Sequence, residues 1–127
     1  MKLGTLFFVI FLSLTFSCAT GPIVIPEDMP PSKIIQTAQE ATDNSKYKTA
    51  IQYYQILLER HGEVSEYYCI AQYEIAFIRY KQKRYTEAQR GFENLLVLYD
   101  AEGGGTLPIK FKILSEKVLA AITEKGR

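Results

Sequence analysis

The stretch YKTAIQYYQILLERH, residues 47–61, returns at residues 85–99 as YTEAQRGFENLLVLY. Tyr47, Ala50, Tyr54, Leu57, Leu58 and His61 stand 38 positions before Tyr85, Ala88, Phe92, Leu95, Leu96 and Tyr99. Spacings of three and four place these residues on one face of a helix. Ala38 and Ala76 show the same offset upstream. A chain that repeats at this period, with helical spacing in each copy, reads as stacked helical hairpins. In each unit helix A is followed by a tight turn and helix B, with the alanines small because two backbones approach there.

Caps and breakers set the expected limits of the helices. Ser32, following Pro30-Pro31, is expected to cap a first helix running to Thr42, and Asp43-Asn44-Ser45 has the composition of a turn. A second helix is expected over Lys46–Arg60, closed by a left-handed Gly62. A third spans Ser65–Gln82 and a fourth Tyr85–Tyr99, so the two repeats occupy residues 32–62 and 64–100 within a region 32–102. The basic run Lys81-Gln82-Lys83-Arg84 falls in a turn, where a solvated role is expected. Gly103-Gly104-Gly105 reads as a flexible link to a C-terminal capping helix over residues 106–125, with Phe111, Leu114, Val118 and Ile122 as its apolar stripe. The expectation is an all-α fold: two helical hairpins and a cap, with Tyr47, Ala50, Tyr54, Leu57, Tyr85, Ala88, Phe92 and Leu95 as its repeated packing residues.

The N-terminus has a different composition. Lys2 precedes Leu3 to Phe16, an uncharged run of 14 residues. That is shorter than the roughly 20 apolar residues that span a bilayer, and it has the order of an export signal. It ends in Leu14-Thr15-Phe16-Ser17-Cys18, which resembles the lipobox of bacterial lipoproteins through Ser17 and Cys18; Thr15 and Phe16 depart from the usual pattern. The resemblance implies a signal peptide over residues 1–17 and covalent lipid on Cys18, the alternative being ordinary cleavage near Ser17. A lipoprotein cysteine carries two or three acyl chains, enough for lasting attachment where one chain alone binds only marginally. Residues 18–31, with Pro22, Pro26, Pro30 and Pro31, read as a semi-rigid tether. Its Ile23-Val24-Ile25 segment either packs back on the domain or lies at the membrane surface.

Charge excludes one class of partner. The chain has 15 basic and 14 acidic residues, and Lys2 leaves with the leader, so the remainder is formally neutral. Nucleic-acid binders carry a basic excess on one face, and no nucleic-acid partner is expected here. Catalysis is not expected either. The single histidine, His61, occupies the slot of Tyr99 in the other repeat and reads as a packing residue. Cys69 lies in an apolar helix, where a buried thiol is the simplest reading. No His and Cys stand at metal-ligand spacing, and Glu59 and Glu63 read as solvated. The glycine triplet lacks the Lys-Ser/Thr of a phosphate loop. Neither an enzyme activity, a metal nor a cofactor other than the lipid is expected.

Alanine at the crossing of helices A and B, an aromatic four residues on, and then leucine together resemble the tetratricopeptide repeat over residues 32–100. The period is longer than the usual one, and Thr37 and Ala41 stand where larger residues are common. Combined with Ala71-Gln72-Tyr73-Glu74-Ile75-Ala76 and Lys83-Arg84-Tyr85, the pattern looks like the BamD family of lipoproteins. It is also similar to the tail domain of the periplasmic Tol-Pal-associated coordinator proteins. The first resemblance implies a lipid-anchored, periplasm-facing protein of the outer membrane. Its implied role is accessory, in β-barrel protein assembly, with a BamA-like barrel protein and other assembly lipoproteins as partners. The family usually carries about five repeats and this chain two, so partner contacts do not transfer residue by residue. A generic envelope adaptor and a carrier of small apolar ligands or lipid stay open as alternatives.

The expected partner-binding groove lies along helix A of each repeat. Tyr68, Ala71, Ile75 and Ile78 form one apolar stripe on the third helix, and Ile70, Tyr73, Phe77 and Tyr80 a second. A helix apolar on two sides sits between neighbours, and repeats of this kind hold peptides or helices on their concave side. Ile35, Gln39 and Thr42 of the first helix are expected to line the groove with Ile70, Tyr73, Phe77 and Tyr80. Coverage of these residues by the tether or the last helix, or plain core packing, are the alternatives.

Overall fold

The computed structural model describes residues 21–126; the leader and Cys18 lie outside the described residues. Five helices follow in order: α1 (Pro31–Asp43), α2 (Tyr47–His61), α3 (Ser65–Lys81), α4 (Tyr85–Asp100) and α5 (Ile109–Lys125), with a short 3-10 turn at Gly104–Thr106 before α5. The fold is all-α, an α-solenoid fragment of the tetratricopeptide type, with no strand among the described residues. α1 pairs with α2, α3 with α4, and α5 lies against α4 and α3.

The limits of the first four helices fall within a residue of those expected, while the capping helix, expected from residue 106, starts at Ile109; the devices that set the limits differ. Pro30, extended at φ −67° and ψ 150°, precedes a proline in the first helical position. Proline is suited there because its missing N–H is one of the unpaired donors of a helix start. Ser32 therefore lies inside α1 and caps nothing. Gly62 is right-handed, at φ −67° and ψ −14°. Its role is steric, since a Cβ there would collide with the Leu58 carbonyl. The left-handed positions other than Gly103 are instead Ser45 and Lys83, in the turns between helices A and B. Gly104 is buried within its turn rather than part of a loose link.

Two apolar clusters form the interior. In the first, Ile34 and Ala38 of α1 meet Ala50, Tyr54 and Leu57 of α2, with Ala71 and Ile78 of α3 closing the cluster. In the second, Cys69, Tyr73 and Ala76 of α3 meet Ala88, Phe92 and Leu95 of α4, with Phe111 and Ile122 of α5. Ala38, Ala50, Tyr54, Leu57, Ala88 and Phe92 are fully buried, and Tyr47 and Tyr85 pack at the edges. Full burial of a Leu, Ile or Phe side chain contributes roughly 1.5–3 kcal/mol, so each cluster is held by a few large side chains around a seam of alanines. α3 stands between the clusters, with the Ala71–Ile78 side to one and the Cys69–Tyr73–Ala76 side to the other. Tyr68, expected on the first of these sides, is half-buried and belongs to neither.

α5 covers the second cluster through Phe111, Ser115 and Ile122, with Val118 and Leu119 partly buried beside them. Leu114, expected in this stripe, is 39% exposed. At 100° per residue, Ser115, Val118 and Ile122 fall within about 40° of Phe111, while Leu114 lies about 60° away on the opposite side. Ser115 takes the buried position. Leu114, Ile109 and Ile113 face outward.

The segment before α1 packs on the domain. Ile25 is buried in the first cluster and Ile23 rests against it, while Val24 points into solvent. Arg60 donates from Nη1 to the Pro26 carbonyl (2.7 Å) and from Nη2 to that of Ile25 (3.3 Å). Farther up α2, Gln52 donates to the Gly21 carbonyl at 3.2 Å.

Candidate protein-binding groove

α1 and α3 face each other across a hollow of about 260 Å³ lined by Gln39, Thr42, Asp43, Glu74, Phe77 and Lys81. Both helices are the A helix of their repeat, and the residues reach the hollow because 39, 42 and 43, and likewise 74, 77 and 81, share a helical face. Gln39 and Asp43 are exposed and provide a polar rim. Thr42 is buried and its hydroxyl donates to the Ala38 carbonyl at 2.9 Å, so it offers its methyl group rather than a free donor.

The apolar floor is Phe77. Its ring stacks between Tyr73 (5.8 Å between centroids) and Tyr80 (6.0 Å), and the Lys81 ammonium sits 5.8 Å from its centroid. A cation in this position is attracted by the face of the ring. Glu74 makes no ion pair or side-chain hydrogen bond among the described residues. Burial raises its carboxyl above the ordinary range, Lys81 draws it down and Asp43 adds a smaller upward push. Behind the floor, the Tyr54 hydroxyl is buried without a hydrogen-bond partner. Its pKa is raised first by burial and then by the charges of Glu74 and Asp43.

Of the residues expected to line the groove, Gln39, Thr42 and Phe77 meet at the hollow. Tyr73 does not. It is buried beneath α5, with its ring 5.6 Å from Phe92 and 5.7 Å from Phe111, and burial pushes its hydroxyl up to about 12. α5 thus covers this part of the second stripe. Tyr80 packs on Tyr85 at the turn end of the α3–α4 hairpin. Ile70 bridges the two clusters and Ile35 rests on the first. The polar half of the hollow, Asp43, Glu74 and Lys81, was missed. The signal was the spacing of Glu74 and Lys81 about Phe77, three and four residues to either side, which puts their charges on the face of the ring.

The other candidate residues lie elsewhere. His61 packs edge-on against Tyr67 at 6.0 Å. Cys69 is a fully buried free thiol, with the Tyr99 hydroxyl 3.8 Å from its sulfur, and burial raises its pKa. The same Tyr99 hydroxyl donates to the Pro108 carbonyl at 2.8 Å, joining α4 to the start of α5. Among the described residues no helix is long and apolar enough to cross a membrane, and no group of three or more His, Cys, Asp or Glu could hold a metal.

No protein-family model matches the sequence, and no solved structure matches it. Over 95 residues the chain is 32% identical to an uncharacterized protein of Treponema pallidum (strain Nichols), covering 73% of this chain and 38% of that one. Over 68 residues it is 40% identical to the outer membrane protein assembly factor BamD of Vibrio cholerae serotype O1, covering 52% of this chain and 28% of that one. The chain spans less than two fifths of the length of either relative.

Proposed function

We propose that this chain is a membrane-anchored helical scaffold that binds partner proteins and catalyses no reaction. Its most specific role is that of an accessory lipoprotein in outer-membrane β-barrel protein assembly. The observation that carries the reading is the match at 40% identity over 68 residues to a protein named as an outer membrane protein assembly factor. In this reading Cys18 carries the lipid, the domain faces the periplasm, and a BamA-like barrel protein with other assembly lipoproteins are its partners.

The α1–α3 hollow suits such a role. Phe77 offers an apolar floor to one side chain of a partner segment, and Asp43 and Glu74 offer two carboxylates to a basic group beside it. Grooves of this kind gain affinity from a few well-placed anchors rather than from area alone.

The test is affinity purification of the tagged protein from detergent-solubilised membranes, with the double variant Gln39→Lys/Asp43→Lys as control. Both residues are exposed, so the fold should tolerate the change. The expected result is a co-purifying barrel protein with periplasmic domains, lost in the variant, and a fall in many outer-membrane proteins on depletion. A native protein that brings down no barrel component, and whose depletion leaves the outer-membrane proteins unchanged, ends the assembly reading.

A further inference from the structure

A second hollow, of about 450 Å³, opens between α2 and the end of α3, over the buried side chain of Ile51. Its polar lining is Lys48, Gln52, Gln55, Arg79, Gln82 and Arg84: three cations, three carboxamides and no carboxylate. Arg79 and Arg84 both turn to one counter-ion, Glu87, at 3.7 Å and 2.6 Å. Lys48 has no ion pair among the described residues. Two positive charges are therefore left without compensation around one concave site.

Local structure adds to the positive potential. Arg84 is the residue before α4, whose start has no side-chain cap. The N–H groups of its first turn carry the positive end of the helix dipole, against which Glu87 is the one carboxylate in that turn. Lys48 lies in the first turn of α2, where no acidic residue is present. A cation there opposes the dipole and costs stability, and a residue that breaks a local preference without an evident structural gain marks a place to look for binding. Guanidinium, ammonium and carboxamide donors converging on one hollow are complementary to an oxyanion with several acceptor oxygens, above all a phosphate.

The position of the N-terminal segment favours one source of that phosphate. Gln52, which lines this hollow, also donates to the Gly21 carbonyl. Gly21 is three residues after Cys18, a separation that the chain spans in at most about 11 Å. We infer that the Lys48–Arg79–Arg84 hollow binds the phosphate of an anionic phospholipid headgroup. The domain is then seated on the bilayer that holds its anchor instead of hanging from it. The lipid source, unlike the anion site itself, rests on the membrane-anchor reading above.

The full-length protein, purified in dodecyl maltoside, is examined by native mass spectrometry with phosphatidylglycerol, phosphatidylcholine, sodium phosphate or a polyglutamate peptide. One phosphatidylglycerol is expected to bind, with no phosphatidylcholine bound. Lys48→Glu should weaken it roughly tenfold or more, since it replaces an attraction for the headgroup phosphate with a repulsion. Lys48→Arg should retain it. Gln55→Glu, at an exposed position of the same lining, should weaken it independently should Lys48→Glu perturb the fold. Undiminished binding in both acidic variants overturns the site. Sodium phosphate or polyglutamate binding as tightly as phosphatidylglycerol overturns the lipid assignment. The intact mass reports acylation of Cys18 separately, so a protein without acyl chains that still takes phosphatidylglycerol keeps the site and removes the anchor.

Discussion

Ser45 and Lys83 stand 38 residues apart and adopt the same left-handed backbone, at φ 58° and φ 60°. In each hairpin this residue follows the end of helix A and its N–H returns to a helical carbonyl, Ser45 to Thr42 at 3.0 Å and Lys83 to Tyr80 at 2.9 Å. The next N–H reaches one residue further back, Lys46 to Ala41 at 2.8 Å and Arg84 to Arg79 at 2.9 Å. The pair of bonds satisfies carbonyls that a helix end leaves open, and it needs one residue at positive φ, where glycine is usual. Both repeats use an ordinary residue instead, which costs roughly 1–2 kcal/mol at each turn. Ser45→Gly and Lys83→Gly are each expected to stabilise the fold by up to about 1 kcal/mol, the relief being offset in part by the larger chain entropy of unfolded glycine. Thermal denaturation followed by circular dichroism should show Tm rising in both; a fall in either would mean that its side chain contributes more than its strain costs.

The helices of the second hairpin approach closely at Gly91 and Ala76. A Cβ built on Gly91 would lie 2.8 Å from that of Ala76, a separation that packed carbons do not tolerate. In the first repeat the same position is Tyr53, which is partly buried against its cluster. The two hairpins therefore cross differently around a shared pattern. Gly91→Ala should lose about 1–3 kcal/mol through overpacking, less whatever the higher helix propensity of alanine returns. Urea denaturation at constant m-value measures it, and an unchanged midpoint would show that α3 and α4 move apart freely.

Tyr54 and Phe92 occupy one slot in the two repeats, and both are fully buried. The Tyr54 hydroxyl has no partner there, whereas Phe92 has none to satisfy. An unpaired buried hydroxyl costs about 1–3 kcal/mol, so Tyr54→Phe should raise stability by roughly 1 kcal/mol. The packing around the ring is expected to stay as it is. A loss of stability would reveal a bonded water at the hydroxyl.

These comparisons show what a linear reading can reach. The face carrying Ala50, Tyr54 and Leu57, and its copy at Ala88, Phe92 and Leu95, was legible because helical periodicity fixes which residues share a face whatever they meet. Which neighbour covers a face was not. Tyr73 and Phe77 lie on one stripe of α3, yet α5 buries the first and leaves the second at the hollow, and the route of α5 depends on the 3-10 turn at Gly104. Apolarity places Leu114 in the core, whereas the true register runs through Ser115, a residue that hydropathy alone does not nominate. At the groove, attention to apolar residues hid Asp43 and Glu74; Asp43 stays exposed at the rim, and the partial burial of Glu74 follows from the approach of α1 to α3. The leader and the lipid on Cys18, both expected from the sequence, lie outside the described residues.

Glu74 gives the fold a dependence on pH. Its carboxyl is raised above the ordinary value of 4.5 when folded, mainly by burial. The folded state therefore holds the proton more tightly than the unfolded chain. Stability from this residue is fully present below the ordinary carboxylate pKa and is lost as pH climbs through the raised one. Glu74→Gln removes the effect. Its Tm should match that of the native protein near pH 4 and exceed it increasingly toward pH 7. A Tm difference that is constant across this range would mean that Glu74 is solvated in the folded protein.

Arg60 is the point at which the N-terminal segment is fastened. Its guanidinium holds the Pro26 and Ile25 carbonyls, and it thereby keeps the buried Ile25 side chain seated in the first cluster. Hydrogen bonds from a charged donor contribute about 1.5–3 kcal/mol when sheltered and less where water competes; the bond to Pro26 is exposed and that to Ile25 only partly buried. Arg60→Ala should therefore lower global stability by only about 1 kcal/mol. Its larger effect should be local. Release of the two carbonyls lets residues 21–26 open without unfolding the helices, because their remaining hold is Ile25, Ile23, the bond from Gln52 and the turn bond from the Met29 N–H to the Pro26 carbonyl. Hydrogen exchange at Met29, whose N–H donates to the Pro26 carbonyl, should rise in the variant while the amides around Ala50 and Ala88 stay protected, and limited proteolysis should cut ahead of α1 first. Arg60→Lys, which keeps the charge but cannot bond two carbonyls through a planar fork, should resemble the alanine variant more than the native protein. Equal exchange at Met29 in all three proteins would assign the seating of this segment to apolar burial alone.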